Sequence, residues 1–134
     1  MAYQQPGFCI GVLVSDATMA SNQFKCVKIS TSNNIFSLCD TDGEDVLGVL
    51  QDNQGSGIAG DIMAMGITKV IAAETLAAGD SWGTDASGLA KKIEGTITGA
   101  DVGDYIAGKV LEGASVNELA TVTIGLSTSK VEAQ

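Results

Sequence analysis

The sequence predicts an all-β protein: a compact β-barrel or β-sandwich of short strands with an extended N-terminal arm. Glycine occurs 17 times and proline once. That ratio is typical of strands joined by tight turns, because glycine supplies the positive φ angles that hairpin turns require. The apolar segments are short and rich in β-branched residues, which favour strands. At 134 residues, the chain is long enough for one hydrophobic core.

The two ends of the chain differ from its middle. Residues 1–8 are mostly polar, show no periodicity and contain the only proline, Pro6, so we predict an extended arm outside the core. Residues 9–126 are predicted to form a single β domain. Residues 127–134 are predicted to be a polar, frayed C-terminal tail, as chain ends commonly are.

The first strands follow from short apolar runs. Residues 9–14 form one compact run that ends in a turn. Residues 24–29 and 35–39 form two more runs, separated by a polar stretch that contains Asn33 and Asn34. Two short runs around such a stretch predict a β-hairpin.

The remaining strands follow an acidic turn. Residues 46–50 predict a short buried strand, and residues 61–73 predict a pair of strands around Gly66, because their β-branched side chains disfavour a helix. Further strands are predicted at residues 89–97, 105–111 and 119–126. One helical turn is conceivable at residues 74–79, and we expect no helix longer than about three turns.

The charge balance excludes one class of partner. The chain carries 7 lysines, no arginine, no histidine and 16 carboxylates, for a net charge of −9. Nucleic-acid binding requires clustered cationic side chains that displace counterions from phosphates. We therefore predict no binding to nucleic acid or to an anionic membrane.

The cysteines predict a reducing compartment. Cys9, Cys26 and Cys39 are odd in number and form no C-x-x-C motif, so we expect reduced thiols buried as small apolar residues. The N-terminus lacks the basic and apolar regions of a signal peptide, and no apolar run is long enough to cross a bilayer.

Two short motifs resemble enzyme signatures. Residues 55–60 match the G-x-G-x-x-G pattern, but no strand immediately precedes them and no helix pattern follows, so a hairpin loop is the prediction. Residues 79–83 match the G-x-S-x-G pattern around Ser81, but the chain has no histidine to act as the base. We therefore predict that the protein is not an enzyme, with Trp82 as a packing residue.

The acidic turn at residues 40–45 is the one candidate cation site. Clustered carboxylates attract hard cations, but this turn lacks the ligand register of an EF-hand. A solvated turn is the default interpretation, and a weak cation site stays open. We predict no metal site and no cofactor.

The order of the short segments between residues 46 and 126 resembles that of a known protein family. Leu47-Gly-Val-Leu50 is followed by a polar loop and Ala59-Gly-Asp61, then by residues 76–82 and 85–90, and finally by residues 106–112 and 119–124. This succession, over residues 46–126, resembles the capsid cement, or decoration, proteins of tailed bacteriophages. Residues 8–40 depart from the family pattern.

The resemblance implies a structural role in a virion. It implies a homotrimer, made in the host cytoplasm, that binds the major capsid protein on the outer surface of an icosahedral head and stabilises that head. An alternative is a β-barrel binding module of a phage fibre, baseplate or carbohydrate-recognition protein. An enzyme is the least favoured class, because no coherent nucleophile site is present.

The arm is the predicted head-binding element. An extended arm could add a strand to an exposed capsid edge, where main-chain hydrogen bonds provide affinity. Deleting residues 2–7 is expected to weaken attachment and leave the trimer folded. The predicted capsid-contact residues are Ala2, Tyr3, Gln4, Gln5 and Pro6.

Overall fold

The computed structural model describes residues 5–17, 19–94, 103–125 and 129–130. These ranges contain twelve strands and no helix, which confirms the predicted all-β class. The strands are β1 (Gln5–Ile10), β2 (Val14–Ser15), β3 (Cys26–Ile29), β4 (Ile35–Leu38), β5 (Gly48–Leu50), β6 (Ile62–Ile71), β7 (Ser81–Thr84), β8 (Ala90–Ile93), β9 (Tyr105–Ile106), β10 (Gly108–Glu112), β11 (Leu119–Ile124) and β12 (Ser129–Lys130).

Ten strands form one curled sheet. Its order is β2-β4-β3-β5-β6-β11-β10-β7-β8, and β1 also pairs with β6. All these pairs are antiparallel except β2 with β4. An isolated parallel bridge joins Ala72, just after β6, to Ala90 on β8, so the sheet curls back towards its own middle. The small ribbon of β9 and β12 is separate.

The predicted hairpins are present. β3 and β4 pair across a turn in which Asn34 has a φ of 60°. β5 and β6 pair across a loop that contains the G-x-G-x-x-G residues, which confirms the loop interpretation of that motif. The segment predicted as two strands around Gly66 is one ten-residue strand, β6. Gly66 has a φ of 135°, so β6 departs from regular geometry there without ending.

The core covers both faces of the middle strands. Adjacent residues such as Val49 and Leu50 are both fully buried, because separate hydrophobic clusters lie on the two faces of β5 and its neighbours. Trp82 on β7 is fully buried, as predicted, and its Nε1 donates a hydrogen bond to the carbonyl oxygen of Thr123 at 2.9 Å. One cluster includes Cys26, Val49, Met63, Trp82 and Val122, and the other is Met19, Val27, Phe36, Leu50 and Ile62.

Both predicted termini contribute residues to strands. Residues 5–8 of the predicted arm lie in β1, which pairs with β6 through Gln5 opposite Ile67 and Phe8 opposite Met65. No local pattern indicates this strand, because its partner β6 lies more than fifty residues further along the chain. Ser129 and Lys130 of the predicted tail form β12. Residues 1–4 of the arm, and residues 127–128 and 131–134 of the tail, lie outside the described residues.

A membrane-spanning helix is not among the elements of the described chain.

Candidate interaction surface

The later part of β6 buries one face and leaves the other partly exposed. Along β6, Ala64, Thr68 and Val70 are fully buried, whereas Met65 is 48% exposed and Lys69 is partly exposed. After Gly66, two-residue periodicity puts Ile67, Lys69 and Ile71 on the side opposite the buried Thr68 and Val70. Their partners on β11 share that side, and Lys109 on β10 lies beside Thr123, whose Oγ1 accepts a hydrogen bond from the Lys109 backbone N–H at 2.9 Å. We call this surface the lysine face: Ile67, Lys69, Ile71, Lys109 and Thr123. Thr121, the partner of Lys69, lies on the same side but is fully buried.

The two lysines of this face are bound to uncharged groups. The Lys69 ammonium lies 5.8 Å from the centre of the Phe24 ring, a cation–π geometry. The Lys109 ammonium donates a hydrogen bond to Oγ of Ser81 at 2.8 Å. No carboxylate of the described ranges lies within ion-pair distance of either lysine. One carboxylate, Glu112, is the cross-strand partner of Thr121, so the balance on the face is +1 in a chain of −9.

Exposed apolar side chains flank the lysine face. Leu119 at the start of β11 is 38% exposed, and so is Leu111 at the bulge in β10. On the other side, Phe8 of β1 is 62% exposed beside Met65. Exposed apolar side chains grouped in this way are typical of interaction surfaces.

A second surface lies at the opposite end of β6. Asp61 immediately precedes this strand, and its backbone N–H donates a hydrogen bond to Oδ1 of Asp52 at 3.2 Å. Ile58 is 54% exposed in the same loop, and Val12 is 79% exposed in the adjoining segment, which bridges to the loop through Val14 and Ala59. We call these four residues, Val12, Asp52, Ile58 and Asp61, the loop end.

The predicted capsid-contact residues lie next to these surfaces only in part. Gln5 and Pro6 are in β1, with Gln5 opposite Ile67 of the lysine face. Ala2, Tyr3 and Gln4 fall outside the described residues. Among the described strands, β1 has a single partner, β6. β1 is thus, like β2 and β8 at the two ends of the sheet, an edge at which a further strand can add.

The acidic turn at residues 40–45 is held by two lysines from different strands. Lys28 of β3 forms ion pairs with Asp40 and, at 3.1 Å, with Glu44. Lys91 of β8 lies 2.8 Å from Oδ2 of Asp42. These lysine ammonium groups occupy the position that a cation would take between the carboxylates. Across the described ranges, no group of three or more His, Cys, Asp or Glu residues is arranged to hold a metal ion.

These contacts shift the pKa values of the paired groups. The Lys28 ammonium hydrogen-bonded to Asp40 holds the pKa of Asp40 below its usual value, and the same bond raises the pKa of Lys28. Burial alone lowers the pKa of Lys91, but the hydrogen bonds from its ammonium to Asp104 and Asp42 outweigh that effect and raise the pKa. At neutral pH, ion pairs therefore link the acidic turn to Lys28 of β3 and to Lys91 of β8.

Ser81 of the G-x-S-x-G pattern contacts a lysine that the sequence does not single out. Lys109 lies directly opposite Ser81 on β10 and donates its hydrogen bond from an exposed side chain. A serine nucleophile requires a neighbouring base that accepts its proton, and a lysine serves as that base when it is desolvated. Lys109 is instead exposed and donates a hydrogen bond to the Ser81 hydroxyl, so it does not accept the serine proton in this arrangement.

The cysteines occupy two environments. Cys26 and Cys39 are fully buried, as predicted, and burial raises the pKa of the Cys26 thiol to about 12. Cys9 on β1 is exposed, so the prediction of a buried thiol was wrong for this cysteine. The pKa of the Cys9 thiol is raised mainly by partial desolvation and, to a smaller extent, by the nearby carboxylate of Asp61.

The sequence prediction missed the lysine face. One signal was present, since the charged Lys69 lies between Thr68 and Val70 in a segment predicted to form strands. The pairing of that segment with residues 119–124, which brings Lys109 to the same surface, is a long-range contact without a local signal.

Comparison with known proteins shows that the fold is similar to that of a solved structure. No known protein family matches the sequence, and no curated protein matches it. Among solved structures, the chain is similar to the N base of the head fiber gp8.5 in bacteriophage phi29. The TM-score is 0.67 at 16% sequence identity, and the match covers 92% of this chain and 99% of that one. At this identity the likeness shows a shared fold.

Proposed function

We propose that this chain is a non-enzymatic structural protein of a tailed-phage virion, which binds the outer surface of the head as a homotrimer and stabilises it as a cement protein. The observation that carries the proposal is the match over nearly the whole chain to a phage head component. A second line of support is the resemblance of residues 46–126 to the cement proteins, which is based on the order of the segments.

The surface chemistry supports a binding role. Exposed apolar residues lie at both ends of β6, and β1 offers a strand edge with Phe8 exposed beside it. Main-chain pairing at such an edge provides affinity with little demand on sequence. A homotrimer would multiply weak individual contacts, because the second and third contacts form at high effective concentration.

A second candidate is a head-fibre base, which anchors a fibre without stabilising the head. The similarity to the base of a head fiber favours it. The two candidates differ in one measurable property. A cement protein raises the resistance of the head to disruption, whereas a base adds only an attachment point.

The test uses phage heads that lack this protein, prepared by deleting its gene from the phage that encodes it. Purified protein is added, bound protein is measured by co-sedimentation, and the temperature at which heads release DNA is recorded. We expect saturable binding and a higher release temperature. Heads that already carry the protein serve as the control and should take up none.

The outcomes separate the candidates. Binding with an unchanged release temperature favours the fibre base over the cement role. No binding to deficient heads, under conditions in which the added protein is folded, contradicts both.

A further inference from the structure

Two of the three cysteines face each other across the β3–β4 hairpin. The register of these strands puts Val27 opposite Leu38. One step further, the backbone N–H of Cys39 donates a hydrogen bond to the carbonyl oxygen of Cys26 at 3.0 Å. The two cysteines are therefore directly opposite each other, and opposite residues of an antiparallel pair point to the same face of the sheet. Both are fully buried in the same hydrophobic cluster.

The two thiols also contact one hydroxyl group. The side chain of Thr84 on β7, itself fully buried, forms a hydrogen bond with each thiol. The pKa of Cys39 is raised first by burial and then by the neighbouring Cys26 thiol, so the two groups lie close enough to influence each other's ionisation. The strand register and the shared contact with Thr84 thus indicate independently that the two sulfur atoms are neighbours.

The spacing of such a pair is compatible with a disulfide bond. Cα atoms of a hydrogen-bonded antiparallel pair are about 5.5 Å apart, and those of disulfide-bonded cysteines are about 4.4 to about 6.8 Å apart. Cβ atoms across the pair are about 4.5 to about 5.5 Å apart, so they must approach by up to about 1 Å to reach the usual disulfide separation. A small adjustment of the hairpin therefore allows the bond, and the remaining strain makes it easier to reduce than a relaxed disulfide.

Cys9 lies too far away to pair with either buried cysteine. It is opposite Met63 of β6, which is opposite Val49 of β5. Val49 is in turn opposite Cys26. Three strand spacings of about 4.8 Å therefore separate Cys9 from Cys26, about 14 Å along the sheet, and Cys39 is one strand further. Cysteines whose Cα atoms are more than about 7 Å apart cannot be bridged without movement of the backbone.

We propose that Cys26 and Cys39 form a disulfide bond within the chain when the protein passes from a reducing to an oxidising environment. In a reducing compartment the pair stays as two buried thiols, which is the state of the structure described above. The bond closes a loop over residues 27–38 and joins β3 to β4 next to the acidic turn. It requires only the positions of the two cysteines and is independent of the role in a virion.

The oxidant is a small-molecule disulfide such as oxidised glutathione. One cysteine thiolate attacks a glutathione sulfur, which gives a mixed disulfide and releases one glutathione. The second cysteine thiolate then attacks the protein sulfur of the mixed disulfide and releases the other glutathione. The protein loses two electrons and two thiol protons, and one glutathione disulfide is reduced to two thiols. Because burial raises the pKa of both thiols, the exchange takes place while the hairpin is open or while the chain folds.

The test measures how strongly the native structure favours the bond. Cys9→Ser, which keeps only the proposed pair, is refolded from urea in mixtures of reduced and oxidised glutathione. The disulfide fraction is measured from the loss of two hydrogen atoms in the intact mass, and the same mixtures in urea give the value for the unfolded chain. We expect the effective concentration of one thiol at the other to be at least 10-fold higher in the folded protein, a change of about the size that a compatible disulfide gives. The midpoint of thermal unfolding should rise by about 5 °C on oxidation.

Cys26→Ala is the matched control, because it keeps Cys9 and Cys39 on distant strands. Folded Cys26→Ala should form mixed disulfides with glutathione and no internal bond, and circular dichroism of each reduced variant establishes that the fold is retained. In the wild type, peptide mapping after oxidative refolding should find Cys26 joined to Cys39, and an internal bond to Cys9 contradicts the proposal. An effective concentration in folded Cys9→Ser that equals or falls below the value in urea overturns it, as does a lower unfolding midpoint after oxidation.

Discussion

The ammonium group of Lys91, on β8, lies 2.6 Å from Oδ2 of Asp104, in the segment that leads into β9. The same ammonium binds Asp42 of the acidic turn, and Lys91 is only 9% exposed. A largely buried cation thus joins two carboxylates from distant parts of the chain. Gly43 makes this approach possible, because a side chain there would collide with the Asp104 carboxylate.

Replacing Lys91 with Met should destabilise the fold. The two carboxylates would then face each other without a counterion, and breaking a buried ion pair in this way typically costs several kcal/mol. Because the Asp42 side chain is 57% exposed, solvent offsets part of that cost. We expect a loss of about 1–3 kcal/mol in the free energy of unfolding, measured by urea denaturation. Lys92→Met, at a lysine 3.6 Å from its partner carboxylate, is the control and should change it by less than about 0.5 kcal/mol.

The same ion pairs predict a dependence on alkaline pH. The pKa of Lys91 is raised above its usual 10.5 in the folded protein, so folding is coupled to proton binding. The stabilisation is complete below pH 10.5 and is lost as the pH rises through the folded-state pKa. The difference in unfolding free energy between wild type and Lys91→Met should therefore shrink as the pH rises above 10.5. A difference that stays constant over this range would exclude the ion pair as its source.

The sequence predicts most elements whose pattern is local. The alternation of Thr121 and Thr123 with the apolar Val122 and Ile124 identifies β11, and the turn residues around Asn34 identify the β3–β4 hairpin. β1 was not predicted for two reasons. Pro6 and Gly7 both disfavour a regular strand. In addition, the strand with which β1 pairs, β6, is distant in sequence. The lysine face was not predicted for the same reason, since Lys69 and Lys109 come to the same side of the sheet only because both of their strands pair with β11.

Thiol reactivity should distinguish the three cysteines. Cys9 is exposed, whereas Cys26 and Cys39 are buried and their thiol pKa values are raised by that burial. Titration with Ellman's reagent should show one reactive thiol in the folded protein and three in urea. The reaction at Cys9 should accelerate with pH into the range above 9.0, because its own pKa is raised. Cys9→Ser should abolish the reaction of the folded protein, and a second reactive thiol would contradict the assigned burial.

Ser81 should have no catalytic role. Its hydroxyl accepts a hydrogen bond from the exposed Lys109 ammonium, so this lysine is not placed as a base that removes the serine proton. Hydrolysis of p-nitrophenyl acetate should proceed at the same rate with wild type and with Ser81→Ala. Serine-dependent turnover, lost in Ser81→Ala and retained in a Ser87→Ala control, would show that the protein is an enzyme.

Two truncations of the N-terminus should differ in their effect on folding. Removing residues 2–4 leaves β1 intact, so the free energy of unfolding should change by less than about 0.5 kcal/mol. Removing residues 2–7 also deletes the pairing of Gln5 with Ile67 and the close contact of Gly7 with the backbone at Met65. We expect a loss of about 1 kcal/mol for this longer truncation, because paired strand residues contribute to stability. Urea denaturation measures both values.

Attachment to deficient heads then separates the role of the arm from the role of β1. If residues 2–4 add a strand to the head, the short truncation should weaken binding while leaving the trimer and its stability unchanged. Gly7→Ala is the matched control, because its Cβ would collide with the Met65 carbonyl and disturb β1 without shortening the arm. Equal binding by the short truncation and the wild type would remove residues 2–4 from the contact. Weakened binding by Gly7→Ala alone would assign the contact to β1 itself.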